Sequence, residues 1–255
     1  MSNKKDKSRT GQSNSYNLCS LLTLTIHTLI SLRNRLDPVK FEYVIKSKNL
    51  SILLSLNSMM EGFMCDLLRD RLEYFKRVAK TQMMRKIEFA NDIGPFDLRS
   101  IERTLNSIES GGWKNLKDIF KLIYDKKIQD VVGDEIYSTI NCQFILRNKI
   151  SHGNRIRLEY FTDSNGNKFS ELDSGYQKVF NFLQKNLKLI EFSDQNVNFS
   201  SIFNSNVIDH FVKYSLDFMY AIRDNLDESE SNLYDPSILS QIENLGLRKL
   251  VDNNN

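Results

Sequence analysis

Cysteine is scarce in this chain: Cys19, Cys65 and Cys142 make an odd count at wide spacings. No C-x-x-C pair is present, so neither a disulfide framework nor a zinc site is suggested. All three lie in apolar helical patterns and read as buried structural thiols, in keeping with a reducing cytoplasm. Charge of one sign is lacking too. Lys and Arg total 35 against 32 acidic residues, a net +3. A polybasic nucleic-acid coat is thereby excluded, and an RNA partner would have to be held at a local site. The longest apolar stretch, Leu18 to Leu32, is shorter than the roughly 20 residues a spanning helix needs. It is interrupted by Ser20, Thr23, Thr25, His27, Thr28 and Ser31, and Arg33-Asn34-Arg35 follows it where a signal peptide would place a small-residue cleavage site. It reads as a buried core helix, with no membrane partner. Also absent are a Gly-rich phosphate loop, a G-x-S-x-G elbow and an H-E-x-x-H pair.

What remains is mainly α. Residues 1–15 are Lys, Ser, Asn and Gly, and read as a disordered tail. A helix is expected over about 16–35, stopping near Asp37-Pro38. A long one follows over about 39–79. Its stripe of Leu50, Leu53, Leu54, Met60, Met64, Leu67, Leu68, Leu72 and Phe75 advances by three and four residues. Asn57 and Glu61 interrupt that face. Further helices are expected over about 96–110, 113–126 and 134–151, separated by Gly111-Gly112 and Gly133. In the last of these the apolar positions are Ile136, Ile140, Cys142 or Phe144, Ile145 and Ile150, and Gly153 fits the position just past a helix end. Residues 157–161 alternate and Asp163-Ser-Asn-Gly166 reads as a turn, which predicts a two-stranded ribbon over about 156–170. Helix returns over about 173–189 and 205–226, with a short strand conceivable at 187–192. The expected organisation is a single helical domain over 16–228, with an insertion at about 155–204. A polar tail with one weak helix then occupies 229–255.

The chemistry-bearing string is Leu146-Arg-Asn-Lys-Ile-Ser-His-Gly153. Arg147 offers a fixed planar cation suited to phosphate. His152, one of three histidines, is the residue type that titrates nearest neutral pH. Alone, such a pair is also what two ordinary helix-end cations look like, each favoured by the helix dipole.

The whole string resembles the signature of the HEPN superfamily, helical-bundle domains of which many are metal-independent ribonucleases. Their pattern is Arg, a polar residue that is often Asn, a short gap, then His. Leu146, Ile150 and Gly153 match the form seen in RiboL-PSP-HEPN-like domains. Met59 to Phe63 resembles the acidic position on the first core helix, and Gly112 to Leu116 a segment between core helices. The resemblance implies a HEPN-like antiparallel bundle, to which the helix before Val39 and the 155–204 segment are additions. It implies an endoribonuclease in the role of a bacterial toxin or anti-phage effector, acting on tRNA or mRNA, with an antitoxin or defence-system partner protein. No cofactor or metal is required. Arg147 and His152 would be catalytic, Asn148 and Glu61 supporting.

Carried onto this chain, the reaction is attack of the RNA's own 2′-hydroxyl on the adjacent phosphorus. His152 would take the proton and Arg147 would hold the non-bridging oxygens, giving a 2′,3′-cyclic phosphate. Five residues of helix turn about 500°, which leaves Arg147 and His152 about 140° apart. One chain therefore presents an awkward half-site, and the family's answer is a homodimer with two motifs across a two-fold axis. Asn148 either orients His152 or the phosphate, or is solvated. Glu61 either pairs with Arg147 or lies at the exposed edge of its stripe. His27 and His210 read as packing or surface residues, Trp113 as a core anchor, and Tyr137 and Tyr160 as core or base-stacking aromatics. Two alternatives compete with the enzyme: a non-catalytic HEPN-like module that binds RNA or protein, and an unrelated helical interaction protein.

Overall fold

The computed structural model describes residues 18–84, 98–152, 158–162, 168–172, 174–186, 199–226 and 237–252. The expected tail at 1–15, the conceivable strand at 187–192 and Gly153 lie outside them. The protein is mainly helical. Helix α1, Leu18–Arg33, buries Cys19, Thr23, Ile26, Ile30 and Arg33, an alternating four- and three-residue step that marks one face. Leu18, Leu21, Leu24 and Leu32 stay exposed on the other side. The expectation of an enclosed core helix thus holds for one face only. Past α1, the Asp37 carboxylate accepts the backbone N–H groups of Val39 and Lys40 at 2.9 and 3.0 Å, which starts the next helical turn.

Helix α2, Glu42–Met84, is 43 residues long and spans about 65 Å. It is the mast of the molecule, packed by α1 and by α3, Leu98–Ser110, α4, Trp113–Tyr124, α6, Asp134–Ser151, and α8, Ser205–Asn225. So many neighbours bury more than one stripe. Ile52, Leu56, Met59 and Phe63 join the core beside the expected positions, whereas Leu50 and Leu54 are only half-buried. Helix α1 comes close to the mast at Gly62, where an added Cβ would sit 2.5 Å from the Cys19 sulfur. A short helix α5, Ile128–Val132, was not foreseen. The Asp130 carboxylate accepts the Lys127 N–H at its start, and Gly133, at φ 84°, turns the chain into α6.

Strands β1, Leu158–Thr162, and β2, Lys168–Leu172, pair antiparallel with Leu158 opposite Leu172. Helix α7, Ser174–Asn181, then packs on α6 and runs into a π-helical turn, Phe182–Asn186, and later a 3-10 turn, Phe199–Phe203. Tyr176, Val179, Phe180, Leu183 and Ile202 are buried in the same core as α2 and α8. This stretch is thus built into the body, not appended to it. The C-terminal segment departs from expectation. Helices α9, Ser237–Leu245, and α10, Leu247–Asp252, meet at Gly246, φ 62°, and pack on α1 and α8. Leu239, Ile242 and Leu247 are buried, so 237–252 belong to the core and not to a polar tail. Apolar residues three and five apart carry this docking, a pattern diluted in sequence by the surrounding Asn, Glu and Asp.

A buried ion pair ties three elements at the far end. The Arg33 guanidinium donates to both Asp209 carboxylate oxygens at 2.7 and 2.9 Å and to Asn49 Oδ1 at 3.1 Å. Asn49 in turn donates to the Phe203 carbonyl at 2.7 Å. Arg33, Asn49 and Asp209 are all buried. Among the described residues no helix is long and apolar enough to cross a membrane.

Candidate functional site

The site forms where α6 crosses the mast beside the start of α4. On α6, Thr139, Ile140, Cys142, Gln143, Phe144 and Leu146 point inward. That inward face leaves Arg147 at the boundary, half-buried, and Asn148 and His152 exposed. Arg147 Nη2 donates to Glu61 Oε2 on α2 at 2.7 Å, and Nη1 donates to Asn148 Oδ1 at 3.0 Å. The side chains of Arg147 and Glu61 keep 27% and 19% of their exposure, so the pair is shielded from water but reachable by it. Of the two readings of Glu61, the structure has the one in which it pairs with Arg147. A Cβ placed on Gly112 would lie 4.0 Å from Glu61 Oε1, so the carboxylate also sits at the N-terminal end of α4, where a helix dipole favours negative charge.

The two bonds occupy one N–H on each terminal nitrogen. Each retains a second, and Nε retains its own; no other bond to them forms among the described residues. The guanidinium is therefore aimed yet not used up, the condition for gripping an incoming oxyanion. Asn148 steadies Arg147 and makes no side-chain bond to His152. His152 closes the helix instead: its backbone N–H donates to the Asn148 carbonyl at 3.2 Å, with φ −82° and ψ 3°. The residue is exposed, and its ring has no hydrogen-bond partner among the described residues. The structure thus joins Arg147, Asn148 and Glu61 into one cluster and leaves His152 beyond it, at the helix end.

From that cluster a groove of about 800 Å³ runs between α4 and α6. Asn148 and Arg147 form one end; Trp113, Lys117 and Asn141 continue it. Trp113 is the anchor expected, buried and stacked on Phe144 with ring centroids 4.2 Å apart. Its indole N–H lies 3.4 Å from Asn141 Oδ1, and Lys117 Nζ donates to the same oxygen at 3.2 Å. Lys117 also reaches the Tyr137 hydroxyl at 3.4 Å. Burial pushes the Tyr137 phenol up, but bonds with Asn141 and Lys117 and the Lys117 charge outweigh it, so the phenol titrates below its usual range. Lys117 and Asn141 were not picked out by sequence. Their only trace there is spacing: Trp113 to Lys117 and Tyr137 to Asn141 are four-residue steps that put each pair on one helix face.

His210 is held apart, on α8. Its ring lies 4.3 Å from that of Tyr214, and Nε2 is buried with no hydrogen-bond partner among the described residues. Burial, reinforced by Lys213 and opposed by Glu135, lowers it to about 4. His27 is half-buried on α1. Cys19 and Cys142 are buried thiols pushed up to about 12, chiefly by burial, while Cys65 is only half-buried. The side chain of Tyr160 lies outside what the structure describes. Among the described residues no group of three His, Cys, Asp or Glu could hold a metal ion. No family model, no curated protein and no solved structure matches this chain.

Proposed function

We propose that the protein is a metal-independent endoribonuclease of the HEPN kind, its helical body a HEPN-like bundle enlarged by α1 and by the segment between α6 and α8. The observation that carries the reading is the Glu61–Arg147–Asn148 cluster. It fixes a guanidinium at the mouth of a groove with donors to spare, on the same helix end that presents His152. In the proposed reaction the RNA 2′-hydroxyl attacks its own phosphorus and the 5′-oxygen leaves. Arg147 stabilises the charge that gathers on the non-bridging oxygens. His152 takes the hydroxyl proton. The leaving oxygen needs an acid, and the second His152 of a homodimer supplies it, so two half-sites make one centre. The products are a 2′,3′-cyclic phosphate and a 5′-hydroxyl. DNA lacks the nucleophile and survives.

In this proposal the substrate is tRNA or mRNA in the cytoplasm, and the biological role is that of a toxin or defence effector restrained by a partner protein. One observation favours the alternative of a non-catalytic RNA- or protein-binding module: nothing within the described residues of one chain orients the His152 ring. A single assay separates the two. Purified protein is incubated with tRNA and mRNA in excess EDTA, beside Arg147→Ala and His152→Ala. Cleavage that survives the chelator and falls at least a hundredfold in both variants supports the enzyme. Intact RNA with wild type, or equal cutting by all three proteins, ends that reading. Binding without cutting supports the module.

A further inference from the structure

The groove does more than expose Arg147. Lys117 is a half-buried cation held in place by neutral partners alone, the Tyr137 hydroxyl and Asn141 Oδ1. It makes no ion pair, and one of its three ammonium protons remains unassigned among the described residues. Asn141 accepts from Lys117 and Trp113 through its oxygen and also bonds the Tyr137 phenol, so the three side chains form one network around the ammonium. Lys114 lines the same groove, exposed and without an ion pair among the described residues. Asp118 is the one acid among the described residues that line the groove. Burying a lysine among neutral groups is costly without an anion to receive it. Asn141 lies six residues before Arg147 on α6, about 9 Å along the helix axis. A strand whose scissile phosphate rested on Arg147 would thus pass Lys117 with a neighbouring phosphate.

We propose that Lys117, oriented by Tyr137 and Asn141 and assisted by Lys114, forms a phosphate subsite that binds single-stranded RNA adjacent to the scissile position. This rests on the ribonuclease reading of the same site. Lys117 would set register along the strand.

The test is binding of a fluorescein-labelled single-stranded RNA carrying 2′-O-methyl groups, which block cleavage, read by anisotropy across a salt series. Lys117→Ala is expected to weaken binding about three- to tenfold and to make the log–log salt slope shallower by about 0.7. Lys117→Arg should restore both. Lys114→Ala disturbs no bond and should also flatten the slope, which keeps the test valid if loss of Lys117 perturbs folding. Lys80→Ala, on an exposed lysine of α2 outside the groove, should leave both unchanged. On cleavable RNA, Lys117→Ala should raise KM at constant kcat. An unchanged slope in both groove variants overturns the subsite, as does an equal effect of Lys80→Ala, whatever the cleavage assay shows. If wild type fails to cut RNA yet its slope still depends on Lys117 and Lys114, the subsite stands and the ribonuclease reading falls.

Discussion

Glu61 shows how one side chain can do two jobs. A carboxylate on an apolar stripe is costly unless paired, and Arg147 supplies the pair at 2.7 Å. The same contact holds the guanidinium at the groove. Glu61→Gln keeps the shape and removes the charge. On the proposed ribonuclease reading it should lower kcat of RNA cleavage roughly tenfold with KM little changed, while Glu61→Asp restores part of the rate; this split tests a positioning role, since mere loss of stability would leave the surviving fraction with normal kcat. The His210 pKa falls to about 4 in the fold, from an ordinary value of 6.5. Between those values the unfolded chain binds the proton and the native one does not, so stability rises with pH across that window and is lost as pH falls through it. Urea melts from pH 7 to pH 4 should show a loss that is visibly smaller in His210→Gln. Equal loss in both proteins would remove His210 as the cause.

At the scale of elements, the Arg33–Asp209 pair joins the end of α1 to α8, with Asn49 of α2 bridging to the Phe203 carbonyl. Removing one member leaves the other charge buried alone. Asp209→Ala should destabilise by about 3–5 kcal/mol, read as a drop in the denaturation midpoint, while exposed pairs such as Arg69–Asp66 should give less than about 1 kcal/mol. Most helices were legible as sequence, because Gly and Pro punctuate them and the apolar steps between run at three and four. Helix α6 was expected over about 134–151 and spans Asp134–Ser151. The five-residue helix α5 escaped because it is too short to show a period. The Arg33–Asp209 pair escaped because its partners lie 176 residues apart and neither carries a local sign of its mate.

At the scale of the whole molecule, a 43-residue helix organises everything else. The mast touches α1, α3, α4, α6 and α8, so the core is continuous from the first described helix to the last. Deleting residues 237–252 strips buried Leu239, Ile242 and Leu247 from α1 and α8. At about 1.5–3 kcal/mol for each fully buried side chain, that deletion should lower the midpoint of thermal unfolding by well over 10 °C or prevent folding. A truncated protein that melts with wild type would show that α9 and α10 contribute nothing. In the proposed dimer two such bodies meet at the ends of their α6 helices. A solution mass at micromolar concentration checks this: the composite centre requires a dimer, and a strict monomer is incompatible with it.

The sequence alone determined the helical class, most helix positions and the string from Leu146 to Gly153, because periodicity, punctuation and short motifs are local properties. It also marked Glu61, since a carboxylate interrupting an apolar stripe asks for a partner. Only the tertiary structure decided between the two readings of it, a pair with Arg147 or a place at the exposed edge. It gave Glu61 to Arg147, gave Asn148 to Arg147 and not to His152, and opened the groove that leads to Lys117 and Asn141. Those outcomes depend on how α2, α4 and α6 cross, which is set by long-range packing of the mast against several neighbours at once. A local pattern can say which face of a helix is apolar; it cannot say which helix that face will meet.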